Sequence, residues 1–356
     1  MKKTYKAFVC MIVVLLSVFV LSSCATAEAA KPTTEGALSL WTDEAPLKKE
    51  LIAFLEAITD PENPDFIPVE RRIAVFDFDG TLFCETDPDY IDHMLLAYRV
   101  LEDPEYKDKA SAYERYVANE IVAKSKTSSP VGGIDIDHGK AVASAFKGMT
   151  LDEFYAYIQA FKRTAMPSYE GMNRGDGFYL PMLEVINLLE QYGFTNYVVT
   201  GTDRFIIRGL FIDSPLSFIS PSHIIGSDES LVATGQGKTD PMEYYFLDTD
   251  KVVLGGEFLL KDLKMNKVIL IMREIGVQPV LSFGNSTGDA SMAEFVITNN
   301  QYRSLAFMLC CDDTVRENGN LSKAQSMVDL CTEHGWIPVS MKNDWTTIYG
   351  DGVVKK

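Results

Sequence analysis

Two carboxylates stand one residue apart at Asp77 and Asp79, led into by the apolar run Ile73–Phe76 and followed by Gly80 and Thr81. A short continuous apolar run of this kind predicts a buried strand of a parallel sheet. Ligands of open α/β sheets sit beyond the carboxyl ends of such strands. Like charges this close repel unless a cation lies between them or one carboxyl keeps its proton. Mg²⁺, which binds one or two carboxylates together with phosphate oxygens, is a cation suited to that position. Gly80 permits a sharp turn and a close approach by a ligand.

Three further stretches carry matching chemistry. Residues 196–201 read as a strand ending in Thr200-Gly201, a hydroxyl followed by a small residue. Arg204 and Arg208 come next on a helical pattern, each a candidate contact for an anionic substrate or a plain surface ion pair. Lys264 and Lys267 lie three apart at the start of another helical pattern, on neighbouring faces. Last, the apolar run 280–283 enters a polar loop holding Asn285 and Asp289.

The run Asp77-Phe78-Asp79-Gly80-Thr81-Leu82 resembles the first motif of the haloacid dehalogenase superfamily of phosphatases and phosphotransferases, and the later stretches follow in that superfamily's order. The resemblance implies Asp77 as nucleophile and Asp79 as general acid and base. Thr200, Gly201 and a helix lysine would hold the phosphoryl oxygens; Lys264 is preferred for that lysine, with Lys267 as a second substrate contact. Mg²⁺ would be bound by Asp77, Asp289 and the backbone carbonyl of Asp79. Asn285 stands where the family often has an aspartate and would be a neutral ligand. The activity implied is a Mg²⁺-dependent phosphomonoesterase working through an aspartyl-phosphate on a small phosphorylated molecule, most similar to the phosphoserine- and phosphorylcholine-phosphatase-like members. The alternatives are a dehalogenase-type hydrolase, disfavoured by Asp79, and a non-catalytic binding protein on the same fold.

The elements needed to position these groups are an α/β, Rossmann-like parallel-sheet core with an inserted helical cap. The core is expected over residues 41–83 and 181–356. Between them, residues 84–180 read as helices near 89–101, 110–124, 140–146 and 151–163, with a loop at 125–133. An all-helical block placed just after the first catalytic strand resembles the superfamily's mobile cap. Later come a helix at 183–192, a hairpin built from 244–247 and 251–254, and strands near 304–309 and 336–339.

The N-terminus opens with Lys2, Lys3 and Lys6, continues through an apolar run to Leu21, and reaches Leu21-Ser22-Ser23-Cys24. That order is a secretory signal, expected over residues 1–23. It also resembles the bacterial lipobox, which implies lipidation of Cys24, a flexible tether over 24–40, and anchoring to a bacterial membrane on its extracytoplasmic side. The net charge is −17 and there is no basic footprint, so nucleic acid is not an expected partner. Spacing leaves the pairing of Cys84, Cys310, Cys311 and Cys331 open.

Overall fold

The apolar run ahead of the two carboxylates forms β1 (Ile73–Phe76), buried at every position and hydrogen-bonded on both edges. It lies inside a seven-stranded mixed sheet in a computed structural model that describes residues 33, 34, 36–127 and 134–356. The signal segment, Cys24 and part of the 125–133 loop lie outside the described residues.

In chain order, α1 (Pro46–Thr59) precedes β1, and α2 (Ile91–Ala97), α3 (Ala112–Thr127), α4 (Ile134–Phe146) and α5 (Leu151–Phe161) follow it. A two-residue strand, β2 (Tyr169–Glu170), leads to α6 (Leu180–Gln191), β3 (Thr195–Asp203) and α7 (Arg204–Phe211). Next come β4 (Ile224–Ala233), β5 (Val252–Leu260), α8 (Met265–Glu274), β6 (Leu281–Gly284) and α9 (Ala290–Ile297). The chain closes with β7 (Leu305–Cys310), α10 (Leu321–His334), β8 (Ile337–Ser340), α11 (Met341–Asp344) and β9 (Val354–Lys355).

The sheet order is β5-β4-β3-β1-β6-β7-β8. All pairings are parallel except β4 with β5, so β5 is an antiparallel edge strand on an otherwise parallel sheet. Strand order reverses beside β1, between β3 and β6, the kind of switch point where open α/β sheets bind ligands. Phe76, Phe283 and Phe307 stack across three adjacent strands beneath that point and stiffen it.

The helical block after β1 is present as α2 to α5, with α4 starting earlier than the pattern suggested and α2 running on as one turn of π-helix at Tyr98–Glu102. Thr150 opens α5 with a reciprocal cap to Glu153, which fixes its start. The β4–β5 pair reaches this block: Gly148 N donates to Leu254 O, and Leu254 N to Met149 O.

Two expectations change. The antiparallel partner of β5 is β4, not 244–247; that run is irregular, with Tyr245 and Phe246 exposed, because the upstream strand already occupies the pairing edge. The expected tether is shorter than 24–40, since Leu38 is buried in the core and Glu184 accepts from both Ser39 Oγ and Leu40 N. Cys84, Cys310, Cys311 and Cys331 are all free thiols. Among the described residues no helix is long and apolar enough to cross a membrane.

Candidate active site

Asp77 directly follows β1 and is still held to the sheet, its N–H donating to Phe283 O on β6. The chain then turns back on itself, with the N–H groups of Thr81, Leu82 and Phe83 all directed at Phe78 O. Phe78 is the hinge pin of this turn, packed on Phe83, Phe178 and Phe211. Gly80 has φ of +76°, and a Cβ there would lie 1.8 Å from Asn285 Nδ2. Both the left-handed backbone and the close approach require glycine.

Lys267, on the first turn of α8, is fully buried between the two acidic loops. Its ammonium donates to Asp77 Oδ1 at 2.6 Å, Asp289 Oδ1 at 2.7 Å and Val199 O at 2.6 Å. Three protons meet three acceptors, so the cation is satisfied and locked. Lys264, the lysine preferred from the sequence, is exposed one residue before the helix. Its backbone sits at φ +58°, held by a hydrogen bond from its N–H to Gly288 O. That turn is costly for a β-carbon residue, and it sets the helix phase that sends Lys267 inward and leaves Lys264 outside.

Asp289 is fully engaged. Oδ1 receives Lys267, and Oδ2 receives Asn285 N, Ser286 N and Ser286 Oγ at 3.0–3.1 Å. This carboxylate therefore positions the lysine and the loop through four donors. The residues expected to hold a divalent cation, Asp77, Asp79, Asp289 and Asn285, offer oxygen donors of the hard kind that suits Mg²⁺. Asn285 Nδ2 is turned to Glu85 Oε2 at 3.0 Å, and Glu85 Oε1 also takes Lys323 at 3.1 Å.

Asp79 is buried, with Oδ1 lacking any hydrogen-bond partner and Oδ2 accepting from Thr202 Oγ1 at 2.6 Å. Burial, then the charge of Asp92, hold its carboxyl well above the ordinary range, with Asp77 and Glu85 adding to the effect against Thr202. Burial and Asp289 lift Asp77 to about 7, against the pull of Lys267. Asp79 is thus the carboxyl whose proton is held more firmly than usual, and Asp77 the one with a cation in contact.

Thr200 is buried at the end of the regular ladder of β3, its Oγ1 accepting from Thr202 N at 3.1 Å. A bulge between Thr200 and Asp203 takes Gly201 and Thr202 out of register with β4. It re-aims Thr202 at Asp79, as bulges beside active sites often do. Gly201 is packed so closely that a Cβ would meet Leu263 at 2.8 Å.

Arg204 and Arg208 do not join the site. Arg204 pairs with Glu274 at 2.8 Å and Asp228 at 3.5 Å, tying α7 to α8 and β4. Arg208 donates to Pro221 O and Ile224 O, closing the turn into β4. Both are structural arginines. Sequence reasoning missed Thr202, Glu85 and Asp262. Asp262 is buried with both carboxylate oxygens unpartnered, and burial lifts it to about 7 against the nearby charge of Lys267. Thr202 alone had a signal, because period two in a strand places it on the face of Thr200.

No family model matches the sequence, and no curated protein does. Solved structures of similar architecture include a conserved protein of unknown function from Anaerococcus prevotii DSM 20548, at 14% identity and TM-score 0.49, covering 82% of this chain and 90% of that one. A protein of unknown function from Bordetella pertussis Tohama I matches at 14% identity and TM-score 0.47, covering 76% and 98%. Cytosolic 5'-nucleotidase IIIB bound to cytidine matches at 10% identity and TM-score 0.49, covering 88% and 93%. The chemistry of this chain has to come from its own side chains.

Proposed function

We propose that this protein is a phosphomonoesterase of the haloacid dehalogenase type, acting on a small phosphorylated molecule through an aspartyl-phosphate on Asp77. The observation that carries the reading is the pairing of an anionic site with a locked cation: Lys267 bridges Asp77 and Asp289, while burial holds the carboxyl of Asp79, two residues on, well above the ordinary range. The same observation favours a phosphatase over a dehalogenase-type hydrolase, since a protonated acid matched to a leaving alkoxide is what phosphate ester cleavage needs.

Asp77 Oδ2 attacks phosphorus in line, the bond to the ester oxygen breaks, and Asp79 delivers its proton to that oxygen. Asp79, now a carboxylate steadied by Thr202, takes a proton from water, whose oxygen attacks phosphorus as the bond from phosphorus to the Asp77 oxygen breaks, releasing inorganic phosphate and restoring the Asp77 carboxylate. Lys267 keeps Asp77 oriented and offsets the negative charge gathered at its carboxylate throughout. Thr200 and the N–H of Gly201 serve as contacts for the phosphoryl oxygens. Asp77, the Asp79 carbonyl, Asp289 and Asn285 would hold Mg²⁺, which would supply charge neutralisation between the anionic substrate and the anionic nucleophile. Helices α2 to α5 act as the cap that sets substrate choice. The chain works outside the cytoplasm, anchored to a bacterial membrane through lipid on Cys24.

The test is hydrolysis of p-nitrophenyl phosphate. Turnover should vanish on EDTA treatment, return with Mg²⁺, and be absent from Asp77→Asn. Equal turnover by parent and Asp77→Asn would overturn the reading.

A further inference from the structure

Within the helical block, the first turn of α2 and the middle of α4 bring Asp92, His93 and His138 together, all three buried. One ligand-type atom from each lies within 4.8 Å of the other two. The phosphatase reading uses neither histidine, and it uses Asp92 only through the charge that helps raise the Asp79 carboxyl. His138 has neither ring nitrogen hydrogen-bonded, and His93 Nδ1 has only the carboxylate of Asp89 beside it, although both residues are almost completely buried. An imidazole buried with both nitrogens idle is costly in a folded interior, where such groups otherwise find partners.

We infer that Asp92, His93 and His138 form a transition-metal site inside the helical block, with Zn²⁺ as its ion. Two imidazoles and one carboxylate are a Zn²⁺ donor set and a poor one for Mg²⁺, which takes oxygen ligands. The spacing agrees. His138 Nδ1 stands 3.7 Å from Asp92 Oδ2, too far for a hydrogen bond. Neighbouring ligands of a tetrahedral ion with bonds of ~2 Å are roughly 3.3 Å apart, so a small inward adjustment closes the shell. The two rings face each other at 4.3 Å between centroids, tilted by 59°, which brings them side by side without stacking.

The surroundings are those of a metal site. Asp89 Oδ2 lies 3.3 Å from His93 Nδ1 and is itself 3.4 Å from Lys124 Nζ. A carboxylate on the far side of a ligating histidine orients the ring and raises its basicity. The charge of Lys261 also reaches Asp92 and His138 and opposes a cation there, while the Asp92 carboxylate offsets it. Three protein ligands leave a fourth position, and the ion would clamp α2 to α4 within the block.

The experiment uses the full chain without a polyhistidine tag, stripped with chelator and then saturated with Mg²⁺. Co²⁺ titration should show one equivalent bound, with the visible absorption of a low-coordinate nitrogen- and oxygen-ligated ion, displaced by Zn²⁺. Asp77→Asn should bind Co²⁺ as the parent does, which separates this site from the reaction centre. His138→Gln and Asp92→Asn should each lose at least about tenfold in affinity. Zn²⁺ should raise the melting temperature of the parent and leave that of His138→Gln unchanged. No Co²⁺ absorption in the parent, or unchanged affinity in the folded variants, would overturn the inference; should one variant not fold, the other gives the same reading.

Discussion

The Lys267 ammonium lies 2.6 Å from Asp77 Oδ1 although 190 residues of chain separate them. That contact joins the end of β1 to the first turn of α8, and its geometry is what makes the pair a chemical unit. A fully buried lysine shared by two buried carboxylates is stable only as a set, because removing any one member strands an unpaired charge.

Lys267→Ala therefore leaves Asp77 and Asp289 facing each other without a cation. Activity toward p-nitrophenyl phosphate should fall by about 10²–10³, and unfolding free energy by roughly 3–5 kcal/mol. Lys264→Ala removes an exposed side chain and should leave both within a factor of about two. Steady-state kinetics and denaturant melts of the two variants check this, with equal losses in both contradicting the assignment of the lysine.

Thr202→Val removes the hydroxyl that donates to Asp79 Oδ2 at 2.6 Å. The lost hydrogen bond is worth about 1 kcal/mol, so kcat should drop roughly fivefold with KM little changed. Thr202 lowers the Asp79 pKa, and its removal should move the alkaline limb of the kcat profile to higher pH. A limb that moves down would place the proton elsewhere.

The metal requirement should be more sensitive at Asn285 than at Asp289, whose oxygens are shared with Lys267 and with their own loop. Asn285→Asp adds charge to the oxygen set and should lower the Mg²⁺ concentration for half-maximal activity. Asp289→Asn should act on kcat and stability through Lys267, with a smaller effect on that concentration. Mg²⁺ titrations of activity for both variants beside the parent decide between them.

Glu229 on β4 has both carboxylate oxygens buried without hydrogen-bond partners. Burial, then Asp203 and Asp228, push it up to about 9. An unfolded glutamate titrates near ~4.3. The native state thus holds a proton that the unfolded chain has released. The stability this gives is complete below the unfolded value and is lost as pH rises through about 9. Glu229→Gln should melt close to the parent near pH ~5 and above it near pH ~9, by on the order of a few kcal/mol at the higher pH. Parallel melting of parent and variant across that window would contradict the burial argument.

Much of this arrangement was legible in the chain. A continuous apolar run ending in Asp77 and Asp79 placed the first strand, and the later strands ending in Thr200 and before Asn285 assembled beside it as their order implied. The choice between Lys264 and Lys267 was not legible, because residues three apart share a helix face until the backbone turn ahead of the helix fixes its phase. Arg204 and Arg208 stayed open between anion contacts and ion pairs because their partners, Glu274, Asp228 and two carbonyls, come from distant or unpatterned segments. The run 244–247 has strand composition, but the edge it would pair with was already taken by β4, a competition that local pattern does not encode. Asp92 and His138, 46 positions apart, gave no motif, and only the packing of α2 on α4 brings them together.

The most direct test of the account is the identity of the residue that carries phosphate during turnover. Asp79→Asn, which cannot activate water, should be mixed with p-nitrophenyl phosphate and Mg²⁺, quenched in acid, digested and read by mass spectrometry. The account predicts a hydroxylamine-labile phosphate on the peptide containing Asp77, absent when Asp77→Asn is added to the same chain. Phosphate on another residue, or rapid turnover in the parent with no phosphate on Asp77 in the trapping variant, would contradict it.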